Sequence, residues 1–290
     1  MQRPFRQVDV FSPDPLGGNP VAVVLDAEGL TTEEMQLFAR WTNLSETTFL
    51  LPPDPPQPPD QESADYQVRI FTGSAELPFA GHPTLGTCHA WLEAGGVPAG
   101  GDQIIQQCKA GLIRLRRRDG RQDGRQDGFL GFAAPPLIRS GPVEESLIAE
   151  ITALLGIDRS DIVDLAWADN GPGWVAVLLD SAEAVLNLRP AGRPMDVGVV
   201  GPYPAGSPQA FEVRAFVPAD GRVGEDPVTG SLNAALAGWL RDTGRAKLPY
   251  TASQGTAIGR SGRIHVSEDE SGDIWVSGAT VTRITGTVDL

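Results

Sequence analysis

The sequence predicts an α/β (α+β) chain folded as two similar domains, and three matched strings predict it. Glu76-Leu77-Pro78-Phe79-Ala80-Gly81-His82 returns 149 positions later as Glu225-Asp226-Pro227-Val228-Thr229-Gly230-Ser231. Upstream, Tyr66-Gln67-Val68-Arg69-Ile70-Phe71 is matched by Phe211-Glu212-Val213-Arg214-Ala215-Phe216. Earlier still, Val21-Ala22-Val23-Val24-Leu25-Asp26 is matched by Val175-Ala176-Val177-Leu178-Leu179-Asp180. Any one pair could be β-rich sequence reused, but three in one order at nearly constant offset indicate an internal duplication. The expected division is a domain over 1–129, completed by a C-terminal strand over 279–290, and a second domain over 130–278.

The first copy reads in order as follows. Phe5 to Phe11 and Pro20 to Leu25 read as strands, joined through Asp14-Pro15-Leu16-Gly17-Gly18-Asn19. Thr31 then offers an N-cap with Glu34 placed to close a capping box. Met35, Leu37, Phe38 and Trp41 supply the apolar face of that helix, and Asn43 ends it. Glu46 to Leu51 and Tyr66 to Phe71 are strand-like. Pro83 is tolerated in a first helical turn, so a helix is expected from about Pro83 to Glu93, closed by Gly95-Gly96.

The second copy follows a comparable order. Val143 to Leu155 is amphipathic and ends at Gly156. Strands are expected near Ile162 to Trp167, Trp174 to Leu179, Met195 to Val200 and Phe211 to Val217. A helix follows over Ser231 to Arg241, then short strands over Ile264 to Val266, Ile274 to Ser277 and Val281 to Val288. Many strands with a single helix after each motif suggest two curved sheets, each wrapped on one helix. Two segments read as surface insertions. Pro52 to Asp60 is too proline-rich to pair in a sheet. The Gly-Arg-Gln-Asp repeat within 119–128 favours tight turns and reads as a lengthened hairpin tip.

Composition narrows the function classes. With 290 residues and 41% hydrophobic content, each domain can bury a core. A net charge of −14 argues against nucleic acid, which demands a basic surface. No apolar run approaches a membrane span, and Met1-Gln2-Arg3-Pro4 leads directly into a strand rather than a signal peptide. Cys88 and Cys108 are too few for a disulfide framework and read as small core residues in a reducing cytoplasm.

Chemistry is expected where the motif copies end. Gly81-His82 and Gly230-Ser231 sit where helices begin, and a helix start offers unpaired N–H groups and a positive dipole end to an anion. If both starts point into one cleft, they suit a small anionic substrate. Each residue also has a plain structural reading. Ser231 would serve as an N-cap, His82 as a turn residue, Asp226 as a turn-former before Pro227, and Glu46 as a solvent-facing strand residue. Together they weigh differently. His82 is one of three histidines, its repeat partner is Ser231, and Asp226 replaces an apolar Leu77. Carboxylate and imidazole in a partly dry cleft are the ingredients of proton transfer.

Several strings then bring a known family into view. They are Val8-Asp9-Val10-Phe11 with Gly18-Asn19-Pro20, Asn43-Leu44-Ser45-Glu46-Thr47, and Glu76 through Gly86. Gly224 through Ser231 and Gln254-Gly255 with Gly259-Arg260 complete the set. In this order they resemble the PhzF-like isomerases of phenazine biosynthesis. The resemblance implies the diaminopimelate-epimerase-like fold, in which each domain is a curled, mainly antiparallel sheet around a central helix and the active site lies between the domains. It implies a cofactor-independent isomerase, typically a homodimer, acting on a substrate like trans-2,3-dihydro-3-hydroxyanthranilate; the chain is also expected to be cytoplasmic and to bind no metal. By the same resemblance Glu46 is the acid/base. His82, Asp226 and Ser231 orient and polarise the substrate amine and carboxylate, assisted by the amides of Gly81 and Gly230.

The residues agree with a one-base scheme. The repeat counterpart of Glu46 should fall near Val197-Gly198-Val199-Val200, which holds no carboxylate. Racemases of this fold resemble a two-cysteine design, whereas the helix starts here carry His82 and Ser231. Two alternatives stay open: isomerisation or epimerisation of another small amino or hydroxy acid, and a non-catalytic protein that traps small anions.

Overall fold

The structure, a computed structural model, describes residues 1–55, 62–118, 129–219 and 221–290. The chain forms two compact units, Met1–Ala133 with Ser277–Leu290, and Ala134–Val276. The Gly-Arg-Gln-Asp insert 119–128 and most of the Pro-rich stretch, 56–60, lie outside the described residues.

The first unit runs β1 (Gln2–Val10), β2 (Asn19–Val24), α1 (Thr32–Thr42), β3 (Glu46–Leu51), β4 (Tyr66–Phe71) and β5 (Glu76–Leu77). It continues with α2 (Gly81–Glu93), β6 (Gln103–Cys108), β7 (Gly111–Arg118) and β8 (Phe129–Ala133). β1 pairs antiparallel with β2, β3 with β4, β4 with β5, β6 with β7 and β7 with β8. β2 with β3 and β4 with β6 are parallel. α1 begins as the sequence predicts: Thr31 N–H donates to Glu34 Oε2 at 2.8 Å and Glu34 N–H to Thr31 Oγ1 at 3.2 Å. Asn43 closes it in the left-handed region at φ 57°, a conformation asparagine tolerates.

The second unit repeats this plan. After β9 (Arg139–Gly141) and α3 (Glu145–Leu155) come β10 (Ile162–Asp169), β11 (Val175–Leu179), α4 (Ala182–Asn187), β12 (Val197–Pro202) and β13 (Phe211–Ala219). β14 (Arg222–Asp226), α5 (Gly230–Asp242), β15 (Tyr250–Gln254), β16 (Gly262–Glu268) and β17 (Ile274–Asp289) complete the chain. β10 and β11, β12 and β13, β13 and β14, and β15 and β16 are antiparallel. β11 with β12 and β13 with β15 are parallel. Parallel and antiparallel pairs thus recur at equivalent places, so the duplicated strings mark a duplicated, mainly antiparallel topology.

Each motif copy leads into a helix that is mostly out of water. Nine of the thirteen residues of α2 are buried, and ten of the thirteen of α5. Their many small residues let them sit close to the strands, and the polar side chains they bury, His82, Thr84 and Thr87 in α2 and Ser231 and Asn233 in α5, are hydrogen-bonded there. α2 packs on β1, β2, β3 and β8. There Gly86 is required: a Cβ would stand 2.3 Å from Val21 Cγ1.

The duplication extends to an ion pair. Arg69 grips Glu76 through two hydrogen bonds of 2.8 and 2.9 Å, and Arg214 grips Glu225 through two of 2.9 and 2.7 Å. The guanidiniums also lie over Phe71 and Phe216, 5.1 and 4.9 Å from the ring centroids. Arg, aromatic and Glu recur in the matched strings because together they tie β4 to β5 and β13 to β14.

Two expectations are corrected. The strands read over Ile274 to Ser277 and Val281 to Val288 are one sixteen-residue strand, β17. Gly278 does not break it; it admits Phe11, whose ring carbon would lie 2.4 Å from a Cβ there. The residues of β17 beyond Val276 belong to the first unit, where Gln2 to Val10 of β1 pair with Thr280 to Asp289. Ser231 is not an N-cap either: α5 begins at Gly230, and its cap is Thr229.

Candidate active-site clusters

In the first unit, three elements meet at their starts. Glu46 opens β3, Asn19 opens β2, and His82 is the second residue of α2. Glu46 Oε2 lies 3.2 Å from His82 Nε2, a close contact off the ring N–H axis. On the other side of the ring, Asn19 Nδ2 is 3.2 Å from His82 Nδ1. An amide nitrogen only donates, so Nδ1 accepts and the imidazole proton sits on Nε2. His82 is 3% exposed, and burial pushes its pKa down to about 3. A Glu46 carboxylate at this distance acts in the opposite direction, but desolvation is the larger influence and the ring is neutral at pH 7. His89 and His265 serve elsewhere, bonded to Thr280 and Thr251.

The register assigns the repeat counterpart of Glu46. Glu46 is paired with Val21 as Val197 is paired with Val175. The carboxylate of the first unit therefore has valine as its counterpart in the second. The nearest acid, Asp196, precedes that valine. Burial, and then the negative charge of Asp169, push its pKa up to about 6.

In the second unit, Asp226 and Ser231 flank the start of α5. Asp226 ends β14 opposite Ala215, just as Leu77 ends β5 opposite Ile70. Its Oδ2 accepts from Thr229 Oγ1 at 2.5 Å. Ser231 is 6% exposed. Its hydroxyl accepts from Trp174 Nε1 at 3.1 Å and its carbonyl from Asn170 Nδ2 at 2.8 Å. Gly81 and Gly230 are the first residues of their helices, and neither N-cap side chain caps its helix. A hollow of about 490 Å³ in the second unit, lined by Leu155, Ile157, Asp161, Val163, Leu188 and Arg189, contains none of these residues.

Sequence reasoning missed the supporting residues. Asn19 and Gln254 stood in strings singled out for other reasons, and nothing in those strings marks their amides as partners of His82 and Asp226, sixty-three and twenty-eight positions away. Nothing local points to Asn170 or Trp174, which reach Ser231 across about sixty positions.

Comparison with known proteins fits this architecture. The family described as "Phenazine biosynthesis-like protein" matches residues 8–286. The chain is 37% identical to "Antisense-enhancing sequence 1" of Schizosaccharomyces pombe, over 97% of each chain. It is 36% identical to the trans-2,3-dihydro-3-hydroxyanthranilate isomerase of Pseudomonas aeruginosa, covering 92% of this chain and 90% of that one. Among solved structures, the Bacillus anthracis phenazine biosynthesis protein of the PhzF family superposes with a TM-score of 0.80 at 22% identity, over all of both chains. A duplicated, mainly antiparallel α+β fold and these relatives define an isomerase. More narrowly, the chain belongs to the phenazine-biosynthesis-like PhzF family.

Proposed function

We propose that this protein is a cofactor-independent isomerase that moves a proton on a small carboxylate-bearing substrate of the trans-2,3-dihydro-3-hydroxyanthranilate type. The observation that carries the reading is the buried Asn19–His82 hydrogen bond at the start of α2, with the part-buried Glu46 carboxylate in close contact with the ring. With Nδ1 accepting from Asn19, His82 carries its proton on Nε2, the nitrogen 3.2 Å from Glu46 Oε2, and can act as a neutral donor to a ligand. The Glu46 side chain is 15% exposed, so it is shielded yet within reach of a ligand. One carboxylate can remove a proton from one carbon and return it to another on the same face, which is what an allylic shift requires. Asp226 is assigned the substrate amine, and Ser231 with the amides of Gly81 and Gly230 the substrate carboxylate. The name of the 36% identical Pseudomonas aeruginosa relative supports this substrate class.

The test is incubation in D2O with candidate cyclic amino acids, following deuterium uptake by NMR. Glu46→Gln is expected to lower exchange at least about 10²-fold, the lower end of a general acid–base contribution, while ligand binding persists. Undiminished exchange in that variant would remove Glu46 from the role. Binding without exchange by the wild-type protein, over a broad set of ligands, would favour the anion-trapping alternative.

A further inference from the structure

The Asp226 carboxylate is the last link of a hydrogen-bond chain whose direction is fixed at every step. Gln254 is fully buried. Its Oε1 accepts from Thr229 N–H at 3.0 Å and from Asn233 Nδ2 at 2.8 Å, which settles which end of the amide is oxygen. Its Nε2 must therefore donate, and it does so to Thr229 Oγ1 at 2.9 Å and to the Asp226 carbonyl at 3.1 Å. Because it accepts from Gln254, the Thr229 hydroxyl turns its own proton to Asp226 Oδ2 at 2.5 Å. Asn233 is anchored in turn by donating to the Thr229 carbonyl at 2.9 Å.

The first unit lacks this chain. The repeat offset matches Asp226, Thr229 and Asn233 with Leu77, Ala80 and Thr84. β15 places Gln254 opposite Val213; continuing the β6 register by one residue places Cys108 opposite Val68. All four positions differ together. The first unit ties its helix to its sheet differently: Gln106 Nε2 donates to Thr84 Oγ1 at 3.0 Å and Gln106 Oε1 accepts from the Tyr66 hydroxyl at 3.1 Å, a set that ends on no carboxylate among the described residues. What the second copy adds is the link to Asp226.

We propose that Gln254, Thr229 and Asn233 are positioning residues that hold Asp226 as an ionised acceptor, ready for a cationic or hydrogen-bond-donating group of the substrate. This deepens the functional reading above and rests on it for the identity of that group. A hydrogen bond donated to the charged form favours it, so the relay keeps the carboxylate ionised at lower pH and fixed in direction. The charged neighbours along this stretch are Glu225, tied to Arg214, and Arg260, whose stem lies beside Gly255 next to Pro227.

The experiment is a carboxyl-carbon NMR titration of the ligand-free protein, with the Asp226 signal assigned by its loss in Asp226→Asn. Thr229→Val is expected to raise the Asp226 midpoint by about one pH unit, a tenfold gain in proton affinity. Thr229→Ser should restore the wild-type midpoint. Gln254→Glu keeps the acceptor but replaces the donor, and is expected to raise the midpoint as well. An unchanged midpoint in either folded variant would overturn the proposal; if one variant fails to fold, the other decides. No turnover is needed, so this result is independent of the deuterium-exchange test. A shifted midpoint without exchange would leave the relay standing and the isomerase reading fallen.

Discussion

The twin ion pairs provide a controlled comparison, because the same three residue types occupy equivalent places in both units. Arg214 and Glu225 have side chains 6% and 12% exposed, and the guanidinium also donates to the Val185 and Leu188 carbonyls at 3.1 and 2.9 Å. Glu225→Gln keeps the shape, removes the charge and turns one amide N–H toward a buried cation. Breaking such a pair from one side costs about 3–5 kcal/mol. Arg69 and Glu76 have near-identical geometry but are 25% and 21% exposed. Water compensates more of that loss, and Glu76→Gln should cost about 1 kcal/mol. Urea unfolding at pH 7 measures both. The double change Arg214→Met with Glu225→Leu should recover much of the single-variant loss, since the main cost is the orphaned charge. Equal costs for Glu225→Gln and Glu76→Gln, within about 0.5 kcal/mol, the usual scatter of such comparisons, would refute burial as the cause.

Two further outcomes concern pH. Asp196 has its folded-state pKa raised from 3.8 to about 6, so the native state binds its proton more tightly and loses stability as pH rises from 3.8 to 6. Asp196→Asn should therefore stabilise at pH 8 by about 3 kcal/mol at most, reduced to about 2 by its partial exposure to solvent, and give no gain near pH 4; a gain of equal size at both pH values would contradict the assignment. His82 is displaced the other way, from 6.5 to about 3. The unfolded chain takes up a proton there that the native state refuses, so stability falls as pH drops through that window by up to about 1.4 kcal/mol per pH unit. His82→Gln should flatten the pH dependence of urea unfolding between pH 6.5 and 3 by that amount, and an unaltered slope would place the acid sensitivity elsewhere.

Much of the architecture was legible in particular residues. Thr31 and Glu34 mark the start of α1 because a capping box is a purely local arrangement. β3 and β4 begin and end where alternation and β-branched content place them, at Glu46–Leu51 and Tyr66–Phe71. The short β5 and β14 escaped notice because two to five residues carry too little periodicity. α4 was missed for the same reason; it rests on Ser181, whose hydroxyl accepts from Ala184 N–H at 3.2 Å. Ser231 illustrates a different failure. Serine before a helical run is a sound N-cap signal, but Trp174 holds its hydroxyl, and no local pattern reveals a partner fifty-seven positions away.

The sequence by itself determined the duplication, the helix after each motif, and the positions where the copies diverge, because these depend on local residue identity and order. Tertiary structure alone decided what the divergences do. Strand register matched Glu46 with Val197 and set His82 against both Asn19 and Glu46, which fixed the tautomer of the ring. It also gathered Gln254, Asn233 and Thr229 behind Asp226 from two separate stretches of chain. Hydrogen-bond direction is a property of several groups meeting in space, and one-dimensional order carries no record of it.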